Sequence, residues 1–152
     1  MTDPKPLRLM AEDANDLKII SAALQDSVSK VGSFRYQAKR RRFSLEINRF
    51  RWEDVAKDGG KPARARAIFG VDGVKSVRSR GLTKSDPELI ISFLAAEFVP
   101  DDEPPGGTLK LLFAGDGEIE LNIECLDVTL LDSDTVWTTR NTPDHESRRG
   151  GR

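Results

Sequence analysis

Leu109-Lys110-Leu111-Leu112-Phe113-Ala114-Gly115-Asp116-Gly117-Glu118-Ile119-Glu120-Leu121-Asn122-Ile123-Glu124-Cys125 carries the pattern that decides the fold. Leu109, Leu111 and Phe113 lead into Gly115-Asp116-Gly117. Ile119, Leu121, Ile123 and Cys125 then alternate with Glu118, Glu120, Asn122 and Glu124. A period of two is a strand with one buried face, and Asp-Gly between two such runs is a hairpin turn. The chain is therefore built on antiparallel pairing. Cys125 falls on the apolar side and is expected in the core rather than as a thiolate nucleophile.

Downstream, Val128, Leu130 and Leu131 predict a final strand, with Trp137 packing back and residues 138–152 forming a disordered tail. Upstream, Asp101-Asp102-Glu103-Pro104-Pro105-Gly106-Gly107 reads as an acidic loop, with a calcium or magnesium contact as the minor alternative. Ile90 to Val99 is a nearly continuous apolar run, best explained as a strand covered on both faces, although its first turn could be helical. Residues 63–80 alternate small or apolar residues with Arg64, Arg66, Lys75, Arg78 and Arg80 and break at Asp72-Gly73, which predicts two strands. Residues 53–62 read as a polar loop.

Phe34, Tyr36 and Ala38, then Phe43, Leu45 and Ile47, predict a hairpin with Lys39-Arg40-Arg41-Arg42 at its tip. Beyond Ile47 the apolar residues shift to Phe50 and Trp52. That change of phase predicts a bulge near Asn48 and Arg49. Near the N-terminus, residues 1–6 are a loose arm and Leu7-Arg8-Leu9-Met10 alternates like a short strand. Asp13 is a helix N-cap with Asp16 three residues on, and Leu17, Ile20, Leu24 and Val28 recur at helical spacing up to Gly32. The expected architecture is α+β: one N-terminal helix packed on a strongly curved antiparallel sheet or partial barrel of about seven strands, a single domain over residues 7–137. The similarity of the Phe69–Val74 and Phe113–Glu118 stretches needs only two hairpins of like turn chemistry, not a repeat.

The chain has 152 residues, with 24 Lys and Arg, 25 Asp and Glu, and a net charge of −1. That balance hides a segregation. Residues 30–84 hold 16 basic and 5 acidic residues, net +11, whereas residues 85–138 hold 1 basic and 13 acidic, net −12. Lys39, Arg40, Arg41, Arg42, Arg49, Arg51, Arg64, Arg66, Arg78 and Arg80 are candidates for a basic face, with Trp52, Phe50 or Tyr36 available for stacking. The plainer alternative pairs the two charge sets across neighbouring strands, outward Arg64 or Arg78 against Glu118, Glu120 or Glu124. A third joins the basic face of one copy to the acidic face of another in a homodimer.

Catalysis lacks its usual parts. The one histidine, His145, lies in the predicted tail, and with one cysteine neither a Ser-His-Asp nor a Cys-His arrangement can be assembled on the folded part. Zinc loses its commonest ligands, no disulfide can form within the chain, and the glycines lack the context of a phosphate loop. No cofactor is expected. No apolar run approaches the roughly 18 residues of a membrane span, and the start lacks a signal core, so a cytoplasmic protein is expected. The expected function is a non-catalytic binding or interaction module for an anionic partner, nucleic acid or an acidic protein surface. The structural homodimer is the alternative, and an enzyme built on arginines and carboxylates ranks below it.

Arg41-Arg42-Phe43, Asn48-Arg49-Phe50-Arg51-Trp52-Glu53, Val77-Arg78-Ser79-Arg80-Gly81-Leu82, Leu112-Phe113-Ala114-Gly115-Asp116-Gly117 and Ile123-Glu124-Cys125-Leu126-Asp127 resemble a bacterial family of uncharacterised proteins, a domain of unknown function. The resemblance spans roughly residues 7–137. It implies a cytoplasmic bacterial protein and carries over no catalytic or binding residue.

Overall fold

The computed structural model describes residues 6–50, 63–82 and 86–138. Arg51, Trp52, the 53–62 loop, most of the N-terminal arm and the tail from residue 139 with His145 lie outside the described residues, as do the side chains of Phe50 and Trp137. The elements in order are β1 (Arg8–Ala11), α1 (Ala14–Leu24), β2 (Val28–Lys30), β3 (Arg35–Gln37), β4 (Arg42–Phe50), β5 (Ala63–Asp72), β6 (Val74–Arg80), β7 (Ile90–Pro100), β8 (Gly107–Phe113), β9 (Glu118–Ile123) and β10 (Val128–Thr138). Short 3-10 turns cover Val31–Ser33 and Ala38–Arg40. Among the described residues no helix is long and apolar enough to cross a membrane.

Among the described residues one open sheet of ten strands runs β1-β10-β5-β4-β2-β7-β8-β9-β6, with β3 beside β4. Every pairing is antiparallel. The count exceeds the expected seven; β2, three residues long, falls where the helix was expected to continue, whereas β3 is the first arm of the expected hairpin with β4. The β8–β9 hairpin forms as its pattern requires, with Asp116 and Gly115 at positive φ in the turn. β5 and β6 are one path bent at Gly73, whose φ of 75° suits glycine; β5 pairs with β4 and β10, β6 with β9. The sheet therefore turns over on itself. Phe69 of β5 and Phe93 of β7 lie three strand steps apart along the path, about 14 Å if flat at about 4.8 Å per step, yet their rings are 5.9 Å apart. Phe93 also meets Phe113 at 4.6 Å, and these rings join Phe43, Leu45, Leu109, Leu111, Leu121 and Leu130 in one buried core.

Helix α1 starts as its sequence predicts: the Asp13 carboxylate accepts the Asp16 N–H at 2.8 Å, and Leu17, Ile20 and Leu24 are buried. It stops at Leu24, short of the expected Gly32. Asp26 takes φ 65° and the Ser27 N–H bonds back to the Leu24 carbonyl, so the chain reverses and Val28 joins a strand between β4 and β7. The helix packs on β7, where the Ser21 hydroxyl accepts the Ala96 N–H at 3.0 Å. β7 is not covered on both faces, since Ile90 and Leu94 are 61% and 51% exposed. The register slips between Phe93 and Ala95, so Leu94 is the extra residue of a bulge and turns outward. Cys125 is exposed, against expectation. β9 ends at Ile123 because the Glu124 N–H goes to the Gly73 carbonyl, and Leu126 takes the inward place instead.

The expected bulge at Asn48 and Arg49 is absent. Register runs unbroken from Arg42 opposite Asp72 to Phe50 opposite Arg64, so the inward face of β4 reads Phe43, Leu45, Ile47, Arg49. Arg49 is wholly buried. Its guanidinium meets the Asp132 carboxylate in a two-bonded fork, Nε to Oδ1 and Nη2 to Oδ2 at 2.8 Å each, with both side chains 0% exposed. The pair reaches from β4 to β10 across β5, where Ala65 and Ala67 stand between the partners and leave room for the fork. Asp132 also accepts the Leu7 N–H at 2.9 Å and returns its own N–H to the Leu7 carbonyl, tying the N-terminal segment to the same point. We expect Arg49→Met to destabilise the domain by about 3–5 kcal/mol, because it strands a buried carboxylate. Urea unfolding should show the lowered midpoint, and Arg49→Met combined with Asp132→Leu should recover part of the loss; equal midpoints for wild type and the single variant would refute the role of the pair.

Candidate functional site

The structure sorts the candidate basic residues into three groups. Arg49 is a core residue, sealed with Asp132. Several others are held by acidic neighbours: Arg41 with Glu124, Arg42 with Asp72 at 2.8 Å, Arg78 with Glu120 at 3.0 Å, and Arg80 with Glu118 at 3.0 Å and Glu120 at 3.5 Å. The last two follow from register, since Arg78 stands opposite Glu120 and Arg80 opposite Glu118 on β6 and β9. Arg64 and Arg66 lie on β5, where Arg64 is partly buried and donates to the Asn48 carbonyl at 3.5 Å. Burial lowers the pKa of Arg64, and the charge of Asp26 opposes that shift.

Lys39 and Arg40 form the third group. They sit exposed on the Ala38–Arg40 turn, and among the described residues neither has a hydrogen bond or ion-pair partner. The turn itself is fixed. Arg41 closes it in a left-handed conformation (φ 53°), the Val74 N–H donates to the Arg41 carbonyl at 2.8 Å, and Arg41 pairs with Glu124.

Beside this turn lies the seam at which the folded sheet fails to close. β3 pairs with β4 on one side, and β6 pairs with β9 and ends the path. Between β3 and β6 is a cleft of about 300 Å³, floored by Val31, Phe34, Phe43, Val77 and Ile119 and edged by Arg35, Tyr36 and Ser79. The Tyr36 hydroxyl donates to the Val74 carbonyl at 2.9 Å, spanning one end of the seam with a side chain. Sequence reading named Tyr36 only as a stacking candidate and missed Arg35, Val77 and Ser79. Alternation shows which way these residues point, but a strand's position at an edge depends on pairings made far along the chain.

Other depressions lie among the described residues. One of about 310 Å³ lies over Arg78, Arg80, Glu118 and Glu120, whose charges pair with one another. Another of about 520 Å³ lies along the contact of α1 with Leu94 to Phe98, and a dish of about 560 Å³ collects Lys75, Asp101, Asp102, Glu103 and Glu124. Among the described residues no group of three or more His, Cys, Asp or Glu is placed to hold a metal ion.

Among the described residues the geometry is an open antiparallel sheet with one helix, a seam between β3 and β6, and several arginines paired with acidic neighbours. The chain belongs to the family described as protein of unknown function DUF2948, which matches residues 7–145. No curated protein and no solved structure matches it.

The charge ladder on β6 and β9 has a titration signature. The carboxyl of Glu120 is held below its ordinary pKa by a hydrogen bond with Glu118, by one from Arg78, and by the charges of Arg78 and Arg80. The Arg80 guanidinium is held above its own by Glu118 first and Glu120 second. A depressed carboxylate contributes stability above its unfolded pKa and loses it as pH falls through the folded value, so the ladder weakens on the acid side. In an NMR titration the Glu120 midpoint should lie below that of an ordinary glutamate and rise when Arg78 and Arg80 are both changed to alanine. A midpoint that stays put would mean the arginines do not act on it.

Proposed function

We propose that this domain is a non-catalytic binding module for an acidic protein partner, centred on Arg35, Lys39 and Arg40 beside the β3–β6 cleft. The observation that carries this reading is the contrast within the basic half. Arg41, Arg42, Arg49, Arg78 and Arg80 are engaged by acidic neighbours, whereas Lys39 and Arg40 stand on a rigid turn with no partner among the described residues. Such fixed, unneutralised cations beside an apolar cleft favour an acidic surface, because ordering them costs little once the turn is held.

A phosphate-reading face would call for several uncommitted arginines side by side, and here most are committed. The charge-complementary homodimer is less favoured for the same reason: Glu118, Glu120 and Glu124 already answer arginines of their own chain. Binding is favoured over catalysis because the arginines and carboxylates that converge on β6 and β9 spend their charges on one another at the surface.

The test is a fluorescence-anisotropy titration of labelled polyglutamate and of a generic RNA over a series of salt concentrations. Polyglutamate should bind, more weakly as salt rises, and the triple variant Arg35→Glu, Lys39→Glu, Arg40→Glu should lose about tenfold or more in affinity. Equal binding by the variant, or none by either protein at low salt, would refute the site; RNA binding alone would redirect the reading to nucleic acid.

A further inference from the structure

The free side of β6 offers more than a surface. Its backbone pairs with β9 on one side only, and on the other the described hydrogen bonds stop at Val74, which gives its N–H to Arg41 and accepts from Tyr36. From Ser76 to Arg80 the outer edge meets no partner among the described residues. A row of unpaired N–H and C=O groups is a template for another strand. Among the described residues no strand fills the seam: β3 faces this edge across the cleft with no backbone bond between them, and the Tyr36 side chain, longer than one strand spacing of about 4.8 Å, reaches across.

We infer that the acidic partner binds as an extended segment that adds to β6 as an extra strand, with alternating apolar and acidic residues. This rests on the binding reading above and supplies its mode. Side chains on β6 alternate: Val77 and Ser79 face the cleft, whereas Arg78 and Arg80 face outward; each meets a β9 glutamate through Nη2 alone and, at 81% and 68% exposed, keeps guanidinium donors for a second carboxylate. A strand laid along Ser76–Arg80 places every second side chain over Phe34, Val77 and Ile119 and the intervening ones beside Arg78 and Arg80. The first set must be apolar to leave no polar group stranded on the apolar floor, and the second is best acidic. Main-chain bonds supply affinity in this mode, and the alternate pockets supply specificity.

A second copy of this chain is a poor occupant. Two β6 edges paired antiparallel bring Arg78 and Arg80 of one copy against the same residues of the other, and like charges opposed across strands repel. Charge on this edge thus excludes self-pairing while admitting an acidic strand.

The probe is a fluorescein-labelled ten-residue peptide alternating valine and glutamate, titrated into the full chain. Controls are the same peptide N-methylated at every second residue, polyglutamate of equal charge, and oligouridine of ten nucleotides. The parent peptide should bind at least about tenfold more tightly than the N-methylated form, which keeps the charge but loses the ladder bonds. It should also slow hydrogen exchange of amides within Ser76–Arg80, and the variant Arg78→Glu, Arg80→Glu should weaken it about tenfold or more. Equal affinity of parent and N-methylated peptides, or unchanged exchange on β6, overturns strand addition and leaves the acidic-partner reading standing. Binding of neither acidic peptide nor polyglutamate overturns both, and binding of oligouridine alone assigns the edge to nucleic acid.

Discussion

A guanidinium inside a hydrophobic core is tolerable only if its charge and donors are answered there, and the geometry of the sheet around Arg49 follows from that requirement. Asp132 answers it in a two-bonded fork, and two alanines on the strand between them, Ala65 and Ala67, leave space for the reach. The partners come from β4 and β10, so the pair can form only when β5 lies between those strands in one register. A slip of one residue would turn Arg49 to solvent and Asn48 inward, stranding the carboxylate. An apolar pair of similar volume could serve stability as well, but it would pin the register less sharply, because apolar contacts tolerate sliding and a two-bonded fork does not.

The rest of the sheet is organised by where it ends. One path bends at Gly73 and belongs to both halves of the fold, so the core closes around Phe69, Phe93 and Phe113 while the hydrogen-bond ladder stays open. Open edges invite aggregation, and the two ends of the path manage this differently. β1 is short and carries a basic residue, Arg8, whereas β6 carries Lys75, Arg78 and Arg80 on its exposed side. The arginine-glutamate pairing of β6 and β9 trims the surface potential without removing the positive charge from the outermost strand.

Much of this architecture was readable from short-range pattern. The hairpin around Asp116, the two strands meeting at Asp72-Gly73, the Asp13 cap and the inward Leu17, Ile20 and Leu24 all depend on residues within a few positions of one another. The reading failed where a distant partner overrode local pattern. Arg49 looked like the mark of a bulge because its partner lies 83 residues away. Val28 fits helical spacing, but a positive φ at Asp26 had already ended the helix, and Leu94 stands outward because β7 bulges against β8. The candidate basic face was legible as a list of residues and not as a surface. Pairing across β6 and β9 decided which charges were already answered, and strand order decided which edge was free.

The first and last strands of the sheet are neighbours: β1 pairs with β10, and the Leu7 N–H is met by a carboxylate 125 residues further on. During synthesis at about 5–20 residues per second, β1 waits about 6–25 s for the strand that receives it. Through that interval Arg49 too is without its carboxylate, so the Arg49–Asp132 fork cannot form before residue 132 has been made. The β8–β9 hairpin, by contrast, has both its strands within 17 residues of sequence and can form as it emerges. The same aspartate, Asp132, meets both Leu7 and Arg49, so its arrival answers the N-terminal strand and the buried guanidinium together.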